Sequence, residues 1–293
     1  MQKIVVCGQS RATVAITAHL LRQSQRFEVA LAALDLEALE MASLAVLSTL
    51  GANQFAKATS KTLGEADILV ITDYGSYGAN DWREQMLAQM RKVISNAMAA
   101  GFQGKILVAA HEDGLMTYFA QRFSGLAKTV VFGLGTMGLT SCFEKTVATA
   151  LSVPRAAVTA YVVGGLMTPV YVWSRAYVAA TPLLSLLQPE AGQAHPLLSA
   201  VPQACAAFAA ADAAMLWPPL VVRVLAALAG EVLLAPLTVI TARGTYATPM
   251  LADADGVRPL ADLTGAEAEE AALETLLADQ AAVITAIEKG EPA

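Results

Sequence analysis

The stretch KIVVCGQSRAT, residues 3–13, decides the fold. A short Val/Ile run ends at Gly8, and apolar residues then recur at helical spacing from residue 11 to residue 23. This order predicts a strand, a tight turn and a helix. Further apolar strands are expected at 27–33, 67–72 and 105–110, with helices at 36–50 and 85–100 between them. Strands that are apolar on both faces and alternate with helices predict an α/β fold built on a doubly wound parallel sheet.

The pattern changes after Phe132. A helix is followed by hairpin-like strands at 158–177, an Ala-rich helix, strands near 237–241 and a closing helix at 266–289. This mixture predicts a second domain of the α+β type. We therefore divide the chain into an α/β domain at 1–133 and an α+β domain at 134–293.

The composition limits the partners of this chain. Apolar residues make up 56% of the 293, charged residues 15%, and the net charge of -6 comes without a basic run, which excludes nucleic acid. The apolar stretch at 156–173 contains Gly164-Gly165 and Pro169, so it predicts two strands joined by a turn and no membrane span. The three cysteines lie far apart, which predicts no metal and a reduced, cytoplasmic location. The low charge content predicts a homo-oligomer, most simply a homodimer.

Ligands of a doubly wound sheet bind at the carboxyl ends of its strands. The loops in question follow Cys7, Ala33, Thr72 and Ala110. The last of them reads Ala110-His111-Glu112-Asp113, and a histidine beside two carboxylates is suited to act as a general base near neutral pH. The alternative is that His111 is an ordinary solvent-exposed loop residue.

Five segments in order carry a resemblance to a known family. They are the opening at 3–18, Ala-Asp-Ile-Leu-Val-Ile-Thr at 66–72, Val-Phe-Gly-Leu-Gly-Thr at 131–136, Val-Tyr-Val-Trp-Ser at 170–174, and the tail from 241 to 283. Together they resemble the lactate/malate dehydrogenase family over essentially the whole chain. The resemblance implies a Rossmann-like first domain, a second domain for substrate and dimer contacts, a small-molecule ligand and a homodimer.

The dinucleotide fingerprint of that family is degenerate here. Of G-x-G-x-x-G only Gly8 remains, while Ser10 and Thr13 replace the other two glycines. Asp35 is the available substitute for the acidic residue that binds the adenosine ribose. Arg11 and the helix N-terminus are candidates for holding an anion; alternatively, Ser10 caps the helix and Arg11 is solvated. We expect no cofactor, with NAD disfavoured.

The family's hydride chemistry requires a histidine, an aspartate that orients it and an arginine that binds the substrate carboxylate. Alignment of the motifs places Leu166, Leu139 and Cys142 at these three positions. No other histidine lies between His111 and His195. Cys142 is a candidate nucleophile, with a place in the core as the alternative.

The loop after the predicted third strand differs from the family's arginine-bearing loop. It retains only Arg83 and carries three aromatic residues: Tyr74, Tyr77 and Trp82. These rings indicate either a lid that stacks on a flatter ligand or an ordinary surface loop.

Three hypotheses follow. The first is a repurposed pseudo-dehydrogenase with a degenerate active site, which performs non-redox acid-base chemistry (lyase, isomerase or cyclase type) with His111, Glu112, Arg83 and Cys142. The second is a non-catalytic ligand-binding or scaffolding homologue. The third is an NAD-dependent 2-hydroxyacid oxidoreductase that uses substitute residues.

Overall fold

A computed structural model describes residues 1–33, 38–187, 194–259 and 263–290 of the chain. Asp35, the candidate ribose ligand, lies outside the described residues. So does most of the loop at 188–196.

The chain forms two compact units. The first comprises Met1–Leu134, Asp212–Leu233 and Leu251–Arg258, and the second comprises Gly135–Ala211, Leu234–Met250 and Pro259–Ala293. Each unit is described by itself below.

The first unit opens with alternating strands and helices. In chain order these are β1 (Gln2–Gln9), α1 (Arg11–Leu21), β2 (Phe27–Ala32), α2 (Ala38–Leu50), β3 (Gln54–Lys57), α3 (Ser60–Gly64), β4 (Ile68–Tyr74), α4 (Trp82–Ala99), β5 (Lys105–Ala109), α5 (Asp113–Ser124) and β6 (Val131–Gly133). The strands pair in the order β3-β2-β1-β4-β5-β6, and all of these pairs are parallel. The prediction of a doubly wound parallel sheet is confirmed.

Two strands of this sheet were missing from the prediction, β3 and the three-residue β6. β3 and the short helix α3 lie at 54–64, so the predicted third strand is β4. β3 reads Gln-Phe-Ala-Lys and is largely exposed at the sheet edge, where an apolar run is not required. The strand order reverses between β1 and β4, and such a switch point is where doubly wound sheets bind ligands.

The remaining elements follow in chain order. They are α6 (Met137–Ala150), β7 (Val158–Thr159), β8 (Val162–Gly164), β9 (Pro169–Tyr171), β10 (Tyr177–Val178), β11 (Thr181–Pro182), α7 (Leu183–Leu186), α8 (Leu197–Ala209), α9 (Ala213–Leu228), β12 (Leu233–Ile240), β13 (Thr245–Asp253), β14 (Gly256–Pro259) and α10 (Glu267–Lys289). Of these, α9 belongs to the first unit. Short 3-10 helices lie at Lys128–Val130, Arg155–Ala157 and Trp173–Arg175.

The second unit is mixed α+β, as predicted. β8 and β9 form an antiparallel hairpin, so the apolar stretch at 156–173 is folded into strands. One apolar cluster of the unit is built on α6, α8 and the strands beside them. The closing helix α10 covers the predicted range and ends at Gly290 in a left-handed conformation.

Among the described residues, no single helix is both long and apolar enough to cross a membrane. The successive helices α8 and α9, separated by a bend, reach the required length and hydropathy only when they are taken together.

Candidate functional site

A carboxylate and a histidine meet at the carboxyl ends of β4 and β5. Asp73 is the next-to-last residue of β4, and His111 follows β5. The Nδ1 atom of His111 lies 2.8 Å from Asp73 Oδ2, and the His111 backbone N–H donates to Asp73 Oδ1 at 3.1 Å. Only 4% of the Asp73 side chain and 17% of the His111 side chain are exposed. The two residues therefore form a pair joined by two hydrogen bonds, in which Asp73 is buried and His111 is partly exposed.

The pairing fixes what the imidazole ring can do. Because a carboxylate accepts hydrogen bonds, Nδ1 carries the proton that faces Asp73, and Nε2 is left to exchange a proton with a ligand. The alternative of an exposed loop histidine is wrong, because Asp73 and its neighbours bury the ring. Sequence reasoning singled out His111 but missed Asp73. Its signal was an acidic residue at the carboxyl end of a neighbouring parallel strand.

Aromatic rings surround the imidazole. Tyr77 stacks on His111 with ring centroids 4.0 Å apart and planes 4° apart. Trp217 of α9 lies 4.9 Å from the same ring at a tilt of 53°. Trp82 meets Tyr77 edge to face at 4.9 Å. Sequence reasoning missed Trp217, which reaches the site from a distant part of the chain.

The three aromatic residues of the predicted lid differ in placement. Tyr77 is 40% exposed and is the one available to a ligand. Tyr74 belongs to β4 and is buried, so its predicted role in a ligand-stacking loop is wrong. Trp82 is also buried as the first residue of α4, and its indole N–H has no hydrogen-bond partner among the described residues. Burial, followed by the nearby Glu112 carboxylate, raises the pKa of Tyr77 and keeps its hydroxyl protonated at neutral pH.

The two other predicted catalytic residues of this region pair with each other. Arg83 Nε donates to Glu112 Oε2 at 2.8 Å, and Arg83 Nη2 donates to Glu112 Oε1 at 2.9 Å. The hydrogen bond with Glu112 raises the pKa of Arg83. Glu112 has a left-handed backbone with φ of 50°, which is strained for a residue other than glycine. The ion pair therefore holds a strained residue beside His111, and neither side chain is a free charged group.

The turn between β1 and α1 is closed by hydroxyl groups. The Ser10 side chain accepts from the Thr13 backbone N–H and caps α1, and Thr13 Oγ1 lies 2.7 Å from Thr72 Oγ1. Thr72 in turn donates to the Cys7 carbonyl. A Cβ atom at Gly8 would collide with the hydroxyls of Thr72 and Thr13. These threonines explain why Gly8 remains although the later glycines are gone.

The same turn carries the groups expected for a dinucleotide phosphate. The N-terminus of α1 presents backbone N–H groups and the positive end of its dipole at the carboxyl end of β1. Arg11 is the first residue of α1, with 84% of its side chain exposed and its Nη1 atom 2.9 Å from Asp212 Oδ2. Ser10 caps the helix and the Arg11 side chain is largely solvated, as the alternative expected, although Arg11 also forms an ion pair with Asp212. Of the groups that the resemblance implies for a dinucleotide phosphate, Gly8 and the N-terminus of α1 are present, and Arg11 is exposed and paired with Asp212.

The second unit holds the positions aligned with the family's hydride-transfer set. Leu139 on α6 is fully buried in the apolar cluster built on α6 and α8, and Leu166 and Cys142 pack against that cluster half-buried. Cys142 contacts the thiol of Cys205, and Cys205 contacts Tyr171. Cys142 thus has apolar and thiol neighbours, and none of the cations that activate a cysteine nucleophile is among these contacts.

Known proteins resemble this chain in part of its sequence and in its fold. No protein-family model matches the chain. It is 32% identical over 136 residues to L-lactate dehydrogenase of Geobacillus stearothermophilus, covering 45% of this chain and 43% of that protein. It is 31% identical over 140 residues to L-lactate dehydrogenase of Staphylococcus saprophyticus, covering 46% and 44%. These alignments span less than half the length of the curated relatives.

Solved structures match along the whole chain. A minor L-lactate dehydrogenase from Enterococcus mundtii superposes with a TM-score of 0.84 at 20% identity, covering 98% of each chain. MGS-M5, a lactate dehydrogenase from a Medee basin deep-sea metagenome library, gives a TM-score of 0.81 at 20% identity, covering 97% of this chain and 99% of that one. At these identities the superpositions show the fold.

The doubly wound sheet and the mixed second unit define a two-unit protein with a Rossmann-like first unit. The whole chain has the fold of L-lactate dehydrogenases, and 136–140 of its residues are similar to them in sequence, which agrees with the resemblance to the lactate/malate dehydrogenase family. One expectation is overturned. We expected no cofactor, but the relatives and the structural neighbours are lactate dehydrogenases, and the chemistry of this family uses NAD. The comparison therefore points to NAD.

Proposed function

We propose that the chain is an NAD-dependent oxidoreductase acting on a small hydroxy or oxo compound, with the Asp73–His111 pair as its proton-transfer device. The observation that carries this proposal is the 2.8 Å contact between His111 Nδ1 and Asp73 Oδ2. A carboxylate-oriented histidine is what the family's chemistry requires. Here such a pair lies at the ends of β4 and β5.

The chemistry of the pair is that of an oriented acid-base catalyst. His111 Nε2 accepts the proton of the substrate hydroxyl during oxidation and returns it to the carbonyl oxygen during reduction. Asp73 acts through His111 by fixing the tautomer and stabilising the imidazolium that forms. Bound NAD would supply the acceptor for the hydride of the substrate carbon. Tyr77 stacks on the imidazole and limits its rotation, so that Nε2 keeps one direction.

Substrate binding differs from that of the family in this proposal. Arg83 is the cation of the predicted catalytic set, but Glu112 already holds it through two hydrogen bonds. A substrate carboxylate must compete with a tethered carboxylate for this guanidinium. We therefore propose that the enzyme binds 2-hydroxy acids weakly and accepts less anionic alcohols and carbonyl compounds.

A second candidate function is the repurposed, non-redox enzyme. It is favoured by the apolar surroundings of Leu139 and Leu166, which offer no oriented acid-base pair at the family's positions. In this alternative His111 removes a proton from a substrate carbon in an elimination or isomerisation. Arg83, His111 and Glu112 then form the active site, and no hydride is transferred. A non-catalytic binding homologue is the third outcome of the experiment below.

The experiment has two stages. Calorimetric titration with NAD and NADH tests the cofactor, for which we expect a dissociation constant of roughly micromolar, about -8 kcal/mol. The Arg11→Ala variant should weaken this binding. Arg22→Ala is the matched control, because Arg22 directly follows α1 at the opposite end of the helix. No binding at roughly millimolar concentration would contradict the proposal.

The second stage tests the reaction. Purified protein with NADH is assayed against a panel of 2-oxo acids, ketones and aldehydes, and in a parallel experiment the substrates are incubated in D₂O without cofactor. NADH oxidation that His111→Ala abolishes and His195→Ala leaves intact supports the oxidoreductase. Deuterium incorporation without NADH oxidation supports the non-redox enzyme. NAD binding with neither activity supports the non-catalytic homologue.

The remaining assignments belong to the same proposal. We assign cofactor binding to residues 1–133 and substrate and dimer contacts to residues 134–293. The apolar side chain of Met215 on α9 is 77% exposed, which supports a homodimer that uses this part of the chain. The three free cysteines support a cytoplasmic location. Light scattering of the purified protein measures the oligomeric state directly.

A further inference from the structure

Two of the three cysteines are neighbours in the second unit. Cys142 lies on α6 and Cys205 on α8. The Cys205 thiol lies 3.6 Å from the carbonyl oxygen of Leu139, to which it donates. Leu139 precedes Cys142 by three residues on the same helix, and residues spaced in this way share a face. The Cys205 sulfur therefore lies against the turn of α6 that carries Cys142.

The packing around the two thiols agrees with this placement. Cys205 is 1% exposed within the apolar cluster built on α6 and α8, and half-buried Cys142 packs against the same cluster. Burial raises the pKa of Cys205 to about 12, and contact with the Cys142 thiol acts in the same direction. Cys142 is the more accessible of the two, so it is the thiol that a reagent from solution meets first.

We propose that Cys142 and Cys205 form a reversible disulfide that links α6 to α8 when the protein meets a small disulfide such as oxidised glutathione. Neither the proton-transfer role of His111 nor NAD binding enters this proposal. Its reduced state is the one described here, in which all three cysteines are free.

The reaction proceeds by two thiol-disulfide exchanges. The Cys142 thiol loses its proton, and its sulfur attacks one sulfur of oxidised glutathione. This forms a mixed disulfide and releases one glutathione thiolate, which takes up the proton. The Cys205 thiol then loses its proton, and its sulfur attacks the Cys142 sulfur and releases the second glutathione. Two protein thiols are oxidised, and one glutathione disulfide is reduced to two glutathione molecules.

The product should be measurably more stable. The new bond closes a loop of about 60 residues, and a loop of this length restricts the unfolded chain substantially. For a protein of this size we expect the thermal midpoint to rise by about 5–10 °C. Reduction with dithiothreitol should return it to its starting value.

The test oxidises the folded, full-length protein with glutathione disulfide and maps the cysteines by mass spectrometry. We expect a Cys142–Cys205 disulfide in the wild type, with Cys7 remaining reduced because it is buried in β1. In Cys205→Ser the glutathione adduct should persist on Cys142, and in Cys142→Ser no adduct should form. The Cys7→Ser variant is the control and should behave like the wild type.

Three results would overturn the proposal. One is a stable glutathione adduct on Cys142 of the wild type, which would mean that Cys205 does not reach it. Another is the absence of any reaction of folded protein. The third is a disulfide that forms only after denaturation with urea, because the native packing would then play no part in pairing the two thiols.

Discussion

Replacing Asp73 with asparagine removes one charge from the site and preserves its shape. Asp73 now accepts two hydrogen bonds from His111, one from the backbone N–H and one from Nδ1. Asparagine keeps an oxygen for the backbone N–H, but its amide NH₂ group then faces Nδ1 and must donate. The imidazole proton moves to Nε2, and the nitrogen that accepts the substrate proton becomes a donor.

The expected loss follows from this change of tautomer. A correctly protonated and oriented general base contributes roughly 100- to 10,000-fold, so the Asp73→Asn variant should lose about 3–5 kcal/mol of transition-state stabilisation. The fold should be preserved, because both hydrogen bonds to His111 still form. In Asp73→Ala, by contrast, the buried His111 N–H loses its partner, which costs a further 1–3 kcal/mol or so in stability.

Two measurements test this reasoning. Steady-state kinetics with NADH should show the loss in kcat, with the NADH dissociation constant unchanged. Nitrogen-15 NMR of the imidazole rings reports the tautomer without a substrate, and the chain has only three histidines to assign. A variant that keeps kcat within about threefold of the wild type, or keeps the proton on Nδ1, would refute the assigned role of Asp73.

Three further predictions concern the surroundings of this pair. Glu112→Gln removes the carboxylate that occupies the loop arginine, so KM for a 2-oxo acid should fall about tenfold while KM for an uncharged ketone stays the same; equal changes in both would argue against competition for that cation. Tyr77→Ala removes the ring stacked on His111 and should lower kcat by roughly tenfold, whereas Tyr77→Phe should retain it, since stacking needs the ring and not the hydroxyl; a loss in the phenylalanine variant would point to the hydroxyl instead. Gly8→Ala forces a Cβ against the Thr72 hydroxyl and should cost about 1–3 kcal/mol of stability, measured by urea denaturation; an unchanged midpoint would show that the turn relaxes.

Most of the fold could be predicted from local patterns of apolar residues. The alternation of apolar strands and helices predicted the parallel sheet, and the family motifs agreed with it. β3 was not predicted because an edge strand buries little surface and needs no apolar run. Tyr74 was assigned to a loop because the apolar run ends at Thr72 and the charged Asp73 follows, although β4 continues through both residues.

The candidate site was predicted only in part. His111, Glu112 and Arg83 were singled out from their positions after strands, which is a topological argument that needs no side-chain detail. Their partners were not. Asp73 lies 38 residues before His111, and the pair becomes visible only once β4 and β5 are known to be adjacent.

The sequence by itself determined the local features: the strand, turn and helix at the N-terminus, the Ser10 cap of α1, and the hairpin within residues 156–173. Each depends on spacing within one or two turns of chain. Tertiary structure alone decided the Asp73–His111 pair, the contribution of Trp217 and the contact between Cys142 and Cys205. These contacts join residues far apart in the chain, and strand order and helix packing bring such residues together, whereas a periodic pattern records only which face of an element is buried.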